Sequence, residues 1–148
     1  MAQVCVLETT VQLKSCPQKF YNFLKSQSQQ IPNKAQSENV HGVEIHKGDW
    51  NTPGSIKIWK FSIEGKEEIF KEKIEVDEVN KTITYVAAGG NVLELYKNYK
   101  AIVKVENQIL MLRIEYENIN DDTPPPKKYQ QFIMNIVRDL DGNLVKAR

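Results

Sequence analysis

Between Gly48 and Gly65 a turn-rich loop runs straight into a strand loaded with apolar side chains, and this junction constrains the fold more than any other stretch. The loop holds Gly48, Asp49, Asn51, Thr52, Pro53, Gly54 and Ser55, residue types that make turns through their backbone angles or side-chain oxygens. The strand behind it carries Ile56, Ile58, Trp59, Phe61 and Ile63. Successive strand side chains point to opposite faces. Large apolar groups at both parities therefore imply a sheet covered on one face and partly loaded on the other. A second strand is predicted from about Lys66 to Val79.

The same alternation extends along the chain. Gln3 to Leu13 reads as a first strand, with Val4, Val6 and Glu8 against Leu7, Thr9, Val11 and Leu13 and a break in the pattern near Leu7. Ser15, ahead of Cys16 and Pro17, predicts a helix start, with Phe20, Phe23 and Leu24 on one face. Ile31-Pro32 marks a short connector or a second helix. Further strands are predicted over Asn39–Lys47, Thr82–Ala88, Val92–Glu106 and Ile109–Ile119. In the last of these, Leu110, Leu112, Ile114 and Tyr116 share a face, while Met111, Arg113, Glu115 and Glu117 take the other, which meets water. Whether Thr82, Thr84 and Val86 or Ile83, Tyr85 and Ala87 face inwards stays open.

Thr123 and the prolines from Pro124 to Pro126 predict the start of a long C-terminal helix. Tyr129, Phe132, Ile133, Ile136, Val137 and Leu140 recur on it at helical spacing, and Asp141-Gly142 weakens its end. Such a stripe must lie against the sheet, as core plug and as one cavity wall. The order of strand, two short helices, six strands and long helix is α+β: one domain over 1–148, a seven-stranded antiparallel sheet wrapped around the C-terminal helix. A sheet curved about one helix cannot always be filled by its own side chains, so a ligand cavity is the natural result.

Composition removes several function classes. Twenty basic against nineteen acidic residues, a net charge of +1, give no reason to expect a nucleic-acid partner. No apolar run approaches the roughly 20 residues needed to span a bilayer. The alternating N-terminus lacks the basic start and apolar centre of a secretory signal, so a cytoplasmic protein is expected. Cys5, Cys16, His41 and His46 match no zinc spacing, and no metal or other cofactor is expected. His41 and His46 fall on opposite faces of one strand unless a bulge at Gly42 intervenes. The acidic and basic residues from Glu64 to Glu78 read as a solvated face, with nothing to argue for a buried carboxylate pair. The glycine loop lacks the Gly-Lys-Ser/Thr ending of a phosphate cradle and leads into a strand.

The order of elements, the loop GDWNTPGS and the strand ending IEGKEE resemble the birch pollen allergen superfamily, the helix-grip or START-like fold. Within it, EGKEEIFKEKIEV, LELYKNYKAIVKV and IEYENINDDTPPP resemble the plant major latex protein family. The resemblance covers essentially the whole chain. It implies a cytosolic plant protein tied to defence and stress that binds or carries an apolar metabolite, as a monomer or weak dimer. Some relatives are enzymes that condense, cyclise or isomerise alkaloid precursors in the same cavity, which is the alternative reading. The gate and latch sequences SGLPA and HRL of the abscisic-acid receptors are absent.

On that resemblance the aromatic and aliphatic set becomes pocket wall: Trp59, Phe61, Tyr99, Val103, Leu110, Leu112, Tyr116, Phe132 and Ile136, with Phe20, Phe23 and Ile31 at an entrance beside the short helices. No catalytic residue is assigned. Leu112 is expected to face an incompletely filled interior that would accept tryptophan.

Overall fold

A computed structural model describes residues 4–146. Seven strands, β1 (Cys5–Gln12), β2 (Asn39–Lys47), β3 (Ile56–Ile63), β4 (Lys66–Asp77), β5 (Thr82–Gly90), β6 (Tyr96–Glu106) and β7 (Ile109–Asn118), form one sheet in the order β1-β7-β6-β5-β4-β3-β2. Every neighbouring pair is antiparallel. β2 to β7 therefore meander, and β1 closes onto β7 from the far end of the sequence. Helices α1 (Pro17–Ser26), α2 (Ile31–Lys34) and α3 (Lys127–Lys146) complete the α+β architecture that the sequence predicts.

Turn chemistry sets the register. Glu64 and Gly65, at φ 51° and 78°, join β3 to β4 as a two-residue hairpin whose twist matches the strands. Asn107, at φ 56°, turns β6 into β7. In the loop before β3, Gly48 sits at φ 87°, and a Cβ there would lie 2.2 Å from the Ser55 hydroxyl oxygen. Asp49 holds the loop by accepting from the backbone N–H groups of Asn51 and Thr52 at 2.9 and 2.7 Å.

Some local expectations are corrected. β1 alternates without a break: Cys5, Leu7, Thr9 and Val11 are half-buried, and its other face, including Val6, is exposed. Cys16, not Ser15, occupies the cap position of α1, because the Ser15 hydroxyl is engaged by Asp141. Residues 91–94 form a 3-10 turn, so β6 begins only at Tyr96. The chain turns there at Gly90, whose φ of 104° and 2.1 Å Cβ approach to the Ile69 carbonyl oxygen exclude a side chain. Thr123 lies outside α3 and donates to Asn120 Oδ1. Asp141-Gly142 does not weaken the end of α3. Asp141 is buried and accepts from the Lys14 and Ser15 backbone N–H groups, both at 2.9 Å, which pins the helix to the corner after β1.

The core lies between the concave face of the sheet and α3. Ile83, Ala101, Val103, Leu110, Leu112 and Ile114 supply its floor. Phe132 on α3 meets Phe61 on β3 with ring centroids 4.9 Å apart.

Candidate ligand cavity

The space between α3 and the sheet is not filled. A cavity of about 150 Å³ remains, roofed by all six residues of the α3 stripe and floored by β3 to β6. By volume this is the scale of an apolar void that holds one aromatic ring. Of the residues expected to line a pocket, Ile31, Trp59, Phe61, Tyr99, Val103, Phe132 and Ile136 do so. Leu110, Leu112 and Tyr116 face the same interior but belong to the packed core under β7, and Leu112, fully buried, does not line this cavity. Phe20 and Phe23 are likewise packed core. Beside the short helices the lining residues are Leu24, Ser28 and Ile31.

The structure resolves the open parity of β5: Ile83 is buried and Tyr85 lines the cavity. It also brings in charge. Glu68 and Glu72 on β4 are buried to 4% exposure and line the cavity, contrary to the expected solvated face. The physical reason is parity. Phe70, Ile74 and Val76 share their side of β4, and three apolar groups on one face carry the two glutamates inwards with them. Lys57 is buried in the same way by Trp59, Phe61 and Ile63 on β3. That alternation is present in the sequence and is the signal that finds all three.

The two glutamates are held differently. Glu68 Oε1 accepts from the Tyr129 hydroxyl at 2.6 Å, and Lys128 Nζ lies 3.4 Å from Oε2, so both oxygens are tied to α3. Glu72 Oε1 accepts from the Trp59 indole N–H at 2.9 Å, while its Oε2 has no hydrogen-bond partner among the described residues. Burial pushes the Glu72 carboxyl up to about 7, against the opposing pull of Lys57 and of the Trp59 N–H. Burial holds Lys57 below the usual lysine range, offset in part by Glu72 and Asp49. The phenols of Tyr85 and Tyr99 are pushed far up by burial, Tyr85 also by the charge of Glu72.

His41 and His46 are both exposed, because register shifts between Val40 and Gly42 and between Ile45 and Lys47 bulge β2. His41 Nε2 lies 2.7 Å from the Ser62 hydroxyl, away from the cavity. Among the described residues no cluster of His, Cys, Asp or Glu could hold a metal ion, and no helix is long and apolar enough to cross a membrane.

With this geometry in view, the chain can be set beside known proteins. The family model of the pathogenesis-related protein Bet v 1 family matches residues 2–147. MLP-like protein 328 of Arabidopsis thaliana is 34% identical over 144 residues, covering 94% of this chain and 95% of that protein. MLP-like protein 43 of the same plant is 32% identical over 146 residues, with 94% and 92% covered. The crystal structure of ginseng major latex-like protein 151 from Panax ginseng superposes with a TM-score of 0.90 at 27% identity, covering 95% of this chain and 97% of that one.

Proposed function

The chain belongs to the pathogenesis-related Bet v 1 family, on its major latex protein branch, and we propose that it binds a hydrophobic small molecule between α3 and the sheet. One observation carries this reading. The six apolar residues of α3, at the helical spacing that should close a core, stand over an unfilled space. Close-packed interiors leave few voids larger than a water molecule, so an apolar void of this size is a departure that a ligand would explain. A role in defence or stress, in the cytoplasm, is the biological setting we infer, supported by the family's pathogenesis-related character.

The test is a fluorescence titration with an apolar naphthalene probe, alongside mass spectrometry of what copurifies from native tissue. Saturable binding with low-micromolar Kd, about −8 kcal/mol, is expected. A parent protein that binds no probe and carries nothing from tissue contradicts the reading.

A second reading is favoured by one specific feature. Glu72, buried against the cavity beside Lys57 and pushed up to about 7, is suited to move a proton at neutral pH, as an enzyme of specialised metabolism would need. Turnover of reactive alkaloid precursors, abolished in Glu72→Gln, would favour that reading over simple carriage.

A further inference from the structure

We propose that Glu72 is the polar anchor of this cavity and that the ligand is a compact body of one or two rings bearing a protonated amine, which binds the open Oε2. This rests on the cavity-binding reading and specifies its chemistry.

The charged side chains of the lining are Glu68 and Glu72. Glu68 is already engaged, with Tyr129 on one oxygen and Lys128 near the other. Glu72 has one oxygen engaged by Trp59 and one left without a partner among the described residues, although the residue is almost wholly buried. A buried acceptor without a donor is costly, and more so when it is ionised. Lys57, directly opposite in the β3–β4 register, does not relieve it. Its ammonium lies 3.4 Å from the Ser28 hydroxyl and 5.4 Å from the Trp50 ring, and Lys57 is not part of the cavity wall.

An ionised carboxylate only accepts, so the group that completes it must donate. An ammonium does so with a charge-assisted bond, stronger than a hydroxyl can make, whereas a ligand carboxylate would be repelled. The surroundings suit a cation as well: Trp59, Phe70, Tyr85 and Tyr99 line the same space, and aromatic faces attract ammonium groups. The volume of about 150 Å³ limits the body to one ring or a fused pair, the size of the naphthalene probe itself.

The test uses the full chain and competition against the bound naphthalene probe, with benzylamine, benzyl alcohol and benzoate as near-isosteric competitors. Benzylamine should displace the probe at a concentration at least tenfold lower than benzyl alcohol, with benzoate weakest. In Glu72→Gln that preference should fall to within about threefold. The amine preference of the parent should also shrink between pH 8 and pH 5.5, as Glu72 takes up a proton. The charged and titratable groups around it are Lys57 from β3, Glu68 from β4 with Tyr129 and Lys128 of α3 on it, Tyr85 from β5 and Tyr99 from β6. The phenols are pushed up by burial and stay neutral in that range, and a pH effect that persists in Glu72→Gln would belong to another group. The parent's ligand series and its pH dependence decide the matter even if the variant does not fold. Equal affinities for the three compounds, or an amine preference kept in a folded Glu72→Gln, would overturn the proposal while leaving the cavity reading intact. A parent that binds no probe removes both.

Discussion

Lys57 on β3 and Glu72 on β4 are directly opposed in the antiparallel register, and both are buried beneath the sheet. Yet the lysine is turned to Ser28 and the glutamate to Trp59. A basic and an acidic group are thus held in the interior, each bonded to a neutral neighbour. Such an arrangement leaves the carboxyl sensitive to pH in a range where exposed carboxylates are not.

The sign of that sensitivity follows from linkage. The Glu72 carboxyl titrates near 4.5 in the absence of its folded surroundings and near 7 within them. Between those values the folded state holds the proton more tightly, so the contribution of Glu72 to stability is full below about 4.5 and is lost as pH rises through 7. A shift of this size corresponds to roughly 2–4 kcal/mol. Glutamine cannot ionise, so Glu72→Gln should gain stability relative to the parent between pH 5 and pH 8. Paired thermal melts at the two pH values check this. A stability difference that stays flat across the range would contradict the burial of an ionisable Glu72.

Asp141 ties the last turns of α3 to the corner after β1 by accepting from two backbone N–H groups and the Ser15 hydroxyl. Asp141→Ala leaves these donors unpaired in a buried setting, and a loss of about 2–4 kcal/mol is expected. Urea denaturation should report it as a lower midpoint with an unchanged slope. Hydrogen exchange should quicken first in residues 141–146.

Gly48 combines a left-handed backbone with close approach to Ser55. Gly48→Ala must strain the backbone and displace the Ser55 hydroxyl, which accepts from the Asp49 N–H at 3.0 Å. We expect about 1–3 kcal/mol of destabilisation. Gly54→Ala shares the positive φ but meets nothing within 4 Å, so it should cost less, and chemical denaturation of the two variants compares them.

Much of this was legible in the sequence, because strand alternation and the α3 stripe are local patterns that burial enforces. The same alternation contained more than was first drawn from it: Phe70, Ile74 and Val76 set the inward parity of β4, and Glu68 and Glu72 share it. Charge made those positions look solvated, but the apolar majority on the face decided their orientation. The position of the void was not legible. Leu110 and Leu112 share the inward face with Ala101 and Val103, yet only the latter two border open space. Which end of a sheet stays unfilled depends on how α3 crosses it, and that is set by contacts far apart in the chain, such as Asp141 with Ser15 and Tyr129 with Glu68.

The most direct test of the cavity is a pair of enlargements read by the same probe. Ala101 borders the open space, whereas Leu112 is enclosed by packed neighbours. Ala101→Phe should grow into the void, reducing probe affinity at least tenfold while the melting temperature stays nearly constant. Leu112→Trp should overpack and lose about 1–3 kcal/mol of stability, with less effect on probe affinity while the chain stays folded. The contrary result is Ala101→Phe that binds the probe as tightly as the parent, or that loses as much stability as Leu112→Trp. Either outcome would mean that the space between α3 and the sheet is not a binding cavity.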